Sequence, residues 1–227
     1  MNYQIIKNEV YLQNFIDLLP ELKTNEVYYI SLFARRKYSK LVPSNNDSHL
    51  RSITVKKKEQ LFSRIRQMEC PIGSYTIKGK PIPQEGLALY MFINPRNTKK
   101  AAYHLMHRLT TLLGNSSEDF NVYREALRSV QRSKSKTRYV VFDIDAEKES
   151  IDFNKLSLII PNYFVIQTKN GYHILVPTNL ASKKIAWFKQ LQAEFTVDAL
   201  GDIMSPVPGC TQGNFIPTIH THFLKTL

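Results

Sequence analysis

Three apolar runs in the second half of the chain set the expectation for its fold. Tyr139-Val140-Val141-Phe142 leads directly into Asp143-Ile144-Asp145, while Tyr163-Phe164-Val165-Ile166 and Tyr172-His173-Ile174-Leu175-Val176 flank the polar turn Thr168-Lys169-Asn170-Gly171. Short runs rich in Val, Ile, Tyr and Phe, bounded by turn residues, read as strands, and the last two read as a hairpin. Side chains alternate along a strand, so Phe142 and Ile144 point into a core while Asp143 and Asp145 share the other face. His173, on a neighbouring strand, is expected on the surface that carries the acids.

Elsewhere the spacing alternates between the two periodicities. Val10, Phe15, Leu18 and Leu19 predict a short amphipathic helix over about 9–22, ended or interrupted by Pro20. A strand over 27–34 runs into Arg35-Arg36-Lys37, a loop covers 43–49, and Leu61, Ile65 and Met68 predict a helix over 52–68. The proline- and glycine-rich stretch 70–86 reads as an irregular or hairpin-like connection, and 87–93 as a central strand. Thr98 is placed to cap a helix running to about Leu113 and ended by Gly114. Further helices are expected over 117–131 and 181–195, followed by a proline- and glycine-rich tail over 205–213. This order predicts an α+β fold with a largely antiparallel sheet.

Composition narrows the class. With 227 residues, 43% of them hydrophobic, the chain buries one substantial core, in a single domain or two tightly joined modules. Cys70 and Cys210 are too few for a disulfide framework or a four-cysteine zinc site, and no apolar run reaches the about 18 residues of a membrane span. The N-terminus has no signal-peptide pattern, so a reduced cytoplasmic protein without a membrane is expected. A net charge of +12 favours a polyanionic partner. The cations cluster at 35–37, 56–58, 99–100 and 132–138. Tyr28, Tyr29, Phe33, Tyr38, Tyr90 and Phe92 are available for stacking on unpaired bases, so a nucleic-acid partner is the expectation. His104 and His107 share a helical face but have no acidic or cysteine partner nearby in sequence, so they are expected to serve packing or the surface.

Two strand carboxylates with a third acid from later in the chain, Asp198 or Asp202, suit hard divalent cations, Mg²⁺ or Mn²⁺. Two such ions about 3.5–4 Å apart serve phosphoryl transfer.

The ordered set Phe142-Asp143-Ile144-Asp145, Gly171-Tyr172-His173 and Val197-Asp198 resembles the three motifs of the archaeo-eukaryotic primase superfamily, whose bacterial and mobile-element members are often called primase-polymerases. Pro206-Val207-Pro208-Gly209-Cys210-Thr211 and, less specifically, Ile93-Asn94-Pro95-Arg96 add to the likeness, which covers about residues 87–217. The resemblance implies one catalytic domain made of an N-terminal α/β portion (about 1–86) and an RRM-like portion (about 87–227). It implies that Asp143, Asp145 and Asp198, with Asp202 as the alternative third acid, bind the metals and that His173 contacts the nucleotide phosphates. The implied reaction is attack of a 3′-hydroxyl on the α-phosphate of a nucleoside triphosphate, directed by a single-stranded DNA template, in replication of a mobile element or bacterium. A separate helicase or replication initiator is an implied partner. Many relatives carry an arginine where this chain has Met204-Ser205; Lys169, Arg35 and Arg36 are its candidate replacements by position. That departure also motivates the alternative of a non-catalytic protein binding single-stranded nucleic acid. The pair His220-Thr221-His222 looks like part of a nickase metal motif, but its middle residue is polar and no tyrosine follows it.

Overall fold

The computed structural model describes residues 1–114, 120–145, 151–160, 162–179, 186–197 and 199–223. α1 (Glu9–Leu18) starts where Asn8 Oδ1 accepts the Tyr11 N–H at 3.0 Å, and it buries Leu12, Phe15 and Ile16. β1 (Glu26–Ala34) is buried along most of its length and pairs with β2 (Ser48–Val55). The helix expected over 52–68 therefore begins later, as α2 (Leu61–Arg66). Its first residues, Ile53-Thr54-Val55, are β-branched and pair in register with Ile30, Tyr29 and Tyr28, so tertiary pairing overrides the helical spacing. The connection over 70–86 holds a small hairpin, β3 (Thr76–Ile77) and β4 (Lys80–Pro81), turning through Lys78 and Gly79 at φ of 51° and 73°.

β5 (Leu87–Phe92) pairs with β1, and the two-residue β6 (Arg96–Asn97) pairs with the start of β1. α3 (Thr98–Gly114) and α4 (Val122–Arg132) form a helical hairpin. The cap of α3 is Asn97, not Thr98: Asn97 Oδ1 accepts the Lys100 N–H at 2.8 Å, while the Thr98 hydroxyl donates to the Asn25 carbonyl.

A β-α-β-β-α-β unit follows: β7 (Tyr139–Asp145), α5 (Phe153–Ile159), β8 (Asn162–Gln167), β9 (Gly171–Pro177), α6 (Ala186–Glu194) and β10 (Ala199–Gly201). Its strands lie in the order β10-β7-β9-β8, each antiparallel to its neighbour, so β9 sits between the two strands joined across α5. Sequence periodicity did not reveal α5, a helix of seven residues. Its local signals are Asp152, whose carboxylate accepts the Asn154 and Lys155 N–H groups, and the buried pair Leu156 and Ile159. β11 (Met204–Pro206) then leaves the unit to pair with β5, and β12 (Thr218–Phe223) returns to the edge of β8. The protein is thus α+β with antiparallel sheets. The sheets interleave along the chain rather than dividing at residue 86, because β5 and β11 join β1 and β2. No helix among the described residues is long and apolar enough to cross a membrane.

Alternation sorts the second sheet into two faces. Phe142, Ile144, Ile174 and Val176 pack with Leu156, Ile159 and Leu191 of α5 and α6, and the Trp187 and Phe188 rings sit 5.7 and 5.8 Å from Phe142. On the opposite face Val141, Ile166 and Leu175 join the larger core beneath α1, β1 and β5. Gly209 locks α1 onto this core. Its carbonyl accepts the Lys7 and Asn8 N–H groups, its φ is 77°, and an added Cβ would lie 2.3 Å from the Asn8 carbonyl oxygen.

Polar ties set the start of β7. Asn94 Oδ1 accepts the N–H groups of Arg138 and Tyr139 at 2.8 and 3.0 Å, and its Nδ2 donates to the Tyr139 carbonyl. Arg138 also pairs with the buried Glu26, which accepts from the Ser135 hydroxyl and the Lys23 N–H. Burial alone would raise the Glu26 pKa, but the Ser135, Lys23 and Arg138 contacts outweigh it and hold the carboxyl below its ordinary range. Glu26→Gln is expected to lower stability at neutral pH and to flatten its acid dependence. The folded pKa lies below the unfolded value of about 4.3, so the wild-type contribution is complete above that value. It is lost as pH falls through the lower folded value. Urea unfolding midpoints from pH 7 to 3 measure the difference; parallel profiles for the two proteins would contradict it.

Candidate functional site

The register of β7 with β9 sets Asp143 directly opposite His173, and Asp143 Oδ1 lies 3.2 Å from His173 Nε2. On its other side the ring meets β11, where the Ser205 hydroxyl is 2.9 Å from Nδ1. A neutral ring with its proton on Nε2 donates to Asp143 and accepts from Ser205; a charged ring donates to both. His173 is 5% exposed and so held on two sides, whereas the Asp143 side chain keeps 31% of its surface open.

That open surface borders a cleft of about 290 Å³. Arg35, just past the end of β1, reaches into it from the first sheet, with Phe33 and Tyr90 beside it. Arg35 Nε donates to Asp47 Oδ2 at 2.7 Å, Nη1 donates to the Tyr90 hydroxyl, and the guanidinium carbon lies 5.2 and 5.4 Å from the Tyr90 and Tyr38 ring centroids. Burial disfavours its charge, but the Asp47 hydrogen bond and the adjacent tyrosine oxygens outweigh that cost and hold the group firmly cationic. Beneath it the Tyr38 and Tyr90 hydroxyls are 2.9 Å apart. Gln212 Nε2 donates to both, and Gln212 Oε1 accepts the Lys169 N–H. Burial pushes the Tyr38 phenol well up, so it stays protonated as part of this floor. The site therefore gathers the partly open Asp143 carboxylate, the His173 imidazole and the Arg35 guanidinium, which Asp47 holds in place, around a single opening. This set suits a metal-bound or otherwise anionic phosphate ligand.

Of the residues singled out from sequence, Asp143, His173 and Arg35 come together. Lys169 is exposed at the rim, its Nζ 4.8 Å from the Tyr38 ring centroid. Arg36 does not line the cleft; it is exposed and donates to Asn45 Oδ1. Asp145 closes β7 with its backbone opposite Gly171. Asp198 lies outside the described residues, but the next residue, Ala199, pairs with Asp143. Asp202 is occupied elsewhere. Its Oδ2 takes Arg96 Nη1 at 2.6 Å, its Oδ1 takes Asn94 Nδ2 at 3.2 Å, and it does not line the cleft. Among the described residues no three His, Cys, Asp or Glu side chains converge as a metal site. His220, on β12, bonds to the Thr218 hydroxyl.

Sequence reasoning passed over Ser205, Gln212 and Asp47 as site residues. Ser205 and Gln212 are polar side chains buried in a proline- and glycine-rich stretch, and only the strand β11 within that stretch brings them under the cleft. Asp47 sits in the loop that precedes β2 and is fixed by Arg35. Comparison of the chain with family models, curated proteins and solved structures gives no match.

Proposed function

We propose that this cleft is the nucleotidyl-transfer centre of a template-directed nucleotidyltransferase, a small primase-polymerase. The observation that carries the proposal is the cross-strand Asp143–His173 contact at a cleft into which Arg35 projects. A carboxylate anchored by imidazole, across the cleft from a half-buried guanidinium, provides for both ends of a triphosphate complex: an anion for divalent metal and a cation for phosphate. The β-α-β-β-α-β unit with its 4-1-3-2 strand order supports an RRM-like catalytic portion. Arg35 takes the part of the arginine that Met204-Ser205 does not supply, while Ser205 orients His173.

Mg²⁺ or Mn²⁺ would be held by Asp143 with Asp145 and Asp198, and would activate the attacking hydroxyl and stabilise the leaving oxygen. The residues of the chain do the rest. Arg35 would neutralise and orient the phosphates of the incoming nucleotide, while His173, held between Asp143 and Ser205 on the cleft wall, would fix the Asp143 carboxylate beside them. The Tyr38–Tyr90–Gln212 floor keeps Arg35 extended into the cleft. The substrates would be nucleoside triphosphates on a single-stranded DNA template, with a separate helicase or replication initiator as the expected partner.

Incubation with Mn²⁺ or Mg²⁺, labelled nucleoside triphosphates and a single-stranded template is expected to give template-dependent product. Template binding without any incorporation would overturn the proposal in favour of a non-catalytic single-strand-binding protein. Within the assay, Arg35→Ala is expected to raise the nucleotide KM about 10- to 100-fold, the range of a lost charge-assisted hydrogen bond. Arg35→Lys should recover only part of it, because lysine lacks the planar fork. Steady-state kinetics over nucleotide concentration check both; an unchanged KM would remove Arg35 from the site.

A further inference from the structure

The cleft is the first of three hollows linked in series by shared lining residues. Phe33 lines both the cleft and a second hollow of about 440 Å³, formed with His49 and with Arg124 and Arg128 of α4. Arg128 in turn lines both the second and a third hollow of about 330 Å³, between α3 and α4, which Arg108 and Arg132 border. The two helices carry six Lys or Arg residues against the single acid Glu125. Glu125 is itself buried and bonded to Arg128 at 2.6 Å and Arg108 at 3.4 Å, so it fixes two of the cations in place. Aromatic rings accompany the charge. Phe33 stands edge-on between His49 and Tyr90, with centroids 5.7 and 5.9 Å away, and Tyr103 and Tyr123 on the helices are 69% and 66% exposed.

We propose that these hollows form one track for a single strand of nucleic acid, running from the cleft past Phe33 and His49 onto the α3–α4 hairpin. Cations spaced along concave ground match a phosphate chain, and rings set between them suit unpaired bases, whose faces a duplex keeps stacked internally. That the strand is the template rests on the function proposed above; that the track holds single strands does not.

The test uses the full chain and a fluorescein-labelled oligothymidylate, with anisotropy read across a salt series in the absence of divalent metal and nucleotide. Arg124→Glu/Arg132→Glu is expected to weaken binding at least about tenfold. It should also flatten the slope of log K against log salt by about 1.4, two contacts at about 0.7 each for single strands. Lys56→Glu/Lys57→Glu, outside the track, is expected to leave that slope unchanged. Bromodeoxyuridine crosslinking of the wild type, which needs no variant to fold, should mark peptides containing Phe33 or His49. Three results would each overturn the track: an unchanged slope for the arginine pair, an equal loss from the lysine pair, or crosslinks confined to other segments. A duplex of the same sequence competing as well as the single strand would overturn the assignment to unpaired nucleic acid. Failure of nucleotide incorporation with these binding results intact would remove the catalytic proposal and leave the track standing.

Discussion

Asp143→Asn is expected to reduce templated nucleotide incorporation by at least about 10³-fold, at the upper end of what losing one preorganised electrostatic partner costs. The substitution keeps the shape of the side chain and an oxygen able to accept from His173 Nε2, so the β7–β9 pairing is undisturbed. It removes the negative charge that makes this position a ligand for a hard cation. Thermal unfolding should therefore change little, within about 0.5 kcal/mol for a partly exposed position outside the core. The informative readout is a single-turnover incorporation rate at saturating metal and nucleotide, taken alongside the unfolding curve. Activity within tenfold of wild type would show that Asp143 is not at the reacting centre.

Asp202→Ala is expected to act in the opposite way, on stability first. Arg96 is 1% exposed, its guanidinium carbon lies 3.5 Å from the Phe92 ring centroid, and Asp202 is the anion paired with it. Among the described residues Arg96 Nε and Nη2 have no hydrogen-bond partner, and burial pushes its pKa down, so the charge already sits in an unfavourable place. Removing one member of such a buried pair costs about 3–5 kcal/mol. For a chain of this size that corresponds to a Tm lower by roughly 6–20 °C. Replacing both partners together, Arg96→Met with Asp202→Leu, should restore much of the loss because no buried charge is then left unmatched. Calorimetry of the three proteins measures this. The alternative role for Asp202, as the third metal ligand, calls for the reverse result: incorporation abolished at a temperature where the variant is folded, with Tm unchanged.

Much of the second sheet was legible because a strand writes its geometry into sequence at a period of two. Asp143 and Asp145 against Phe142 and Ile144, and the hairpin around Thr168 to Gly171, needed no distant information, and the Asp143–His173 pairing follows from their strands lying side by side. Arg35 was singled out with Arg36 and Lys169 as a candidate phosphate contact, by position alone and with nothing to choose among the three. What brings it to the cleft is the pairing of β11 with β5, a contact that no local pattern announces. Arg96 entered the sequence reading only as part of Ile93-Asn94-Pro95-Arg96, and nothing in that segment signals a buried cation. Its burial depends on an acid 106 positions away. The helix expected over 52–68 failed for the same reason in reverse: Leu61 and Ile65 are on a helix, but Ile53 to Val55 are claimed by β1. At α3 the cap moved by one residue because Asn97, bound into β6, already points its amide oxygen at Lys100, while Thr98 serves Asn25.

The most direct measurement is diffraction from crystals grown with Mn²⁺ and a non-hydrolysable nucleoside triphosphate, recorded at a wavelength where manganese scatters anomalously. The expected map has manganese at about 2.0–2.2 Å from a carboxylate oxygen of Asp143, close to the bond lengths of hard divalent cations, with the phosphates between His173 and Arg35. Manganese remote from Asp143, or a triphosphate that touches neither His173 nor Arg35, would contradict the assignment of this cleft.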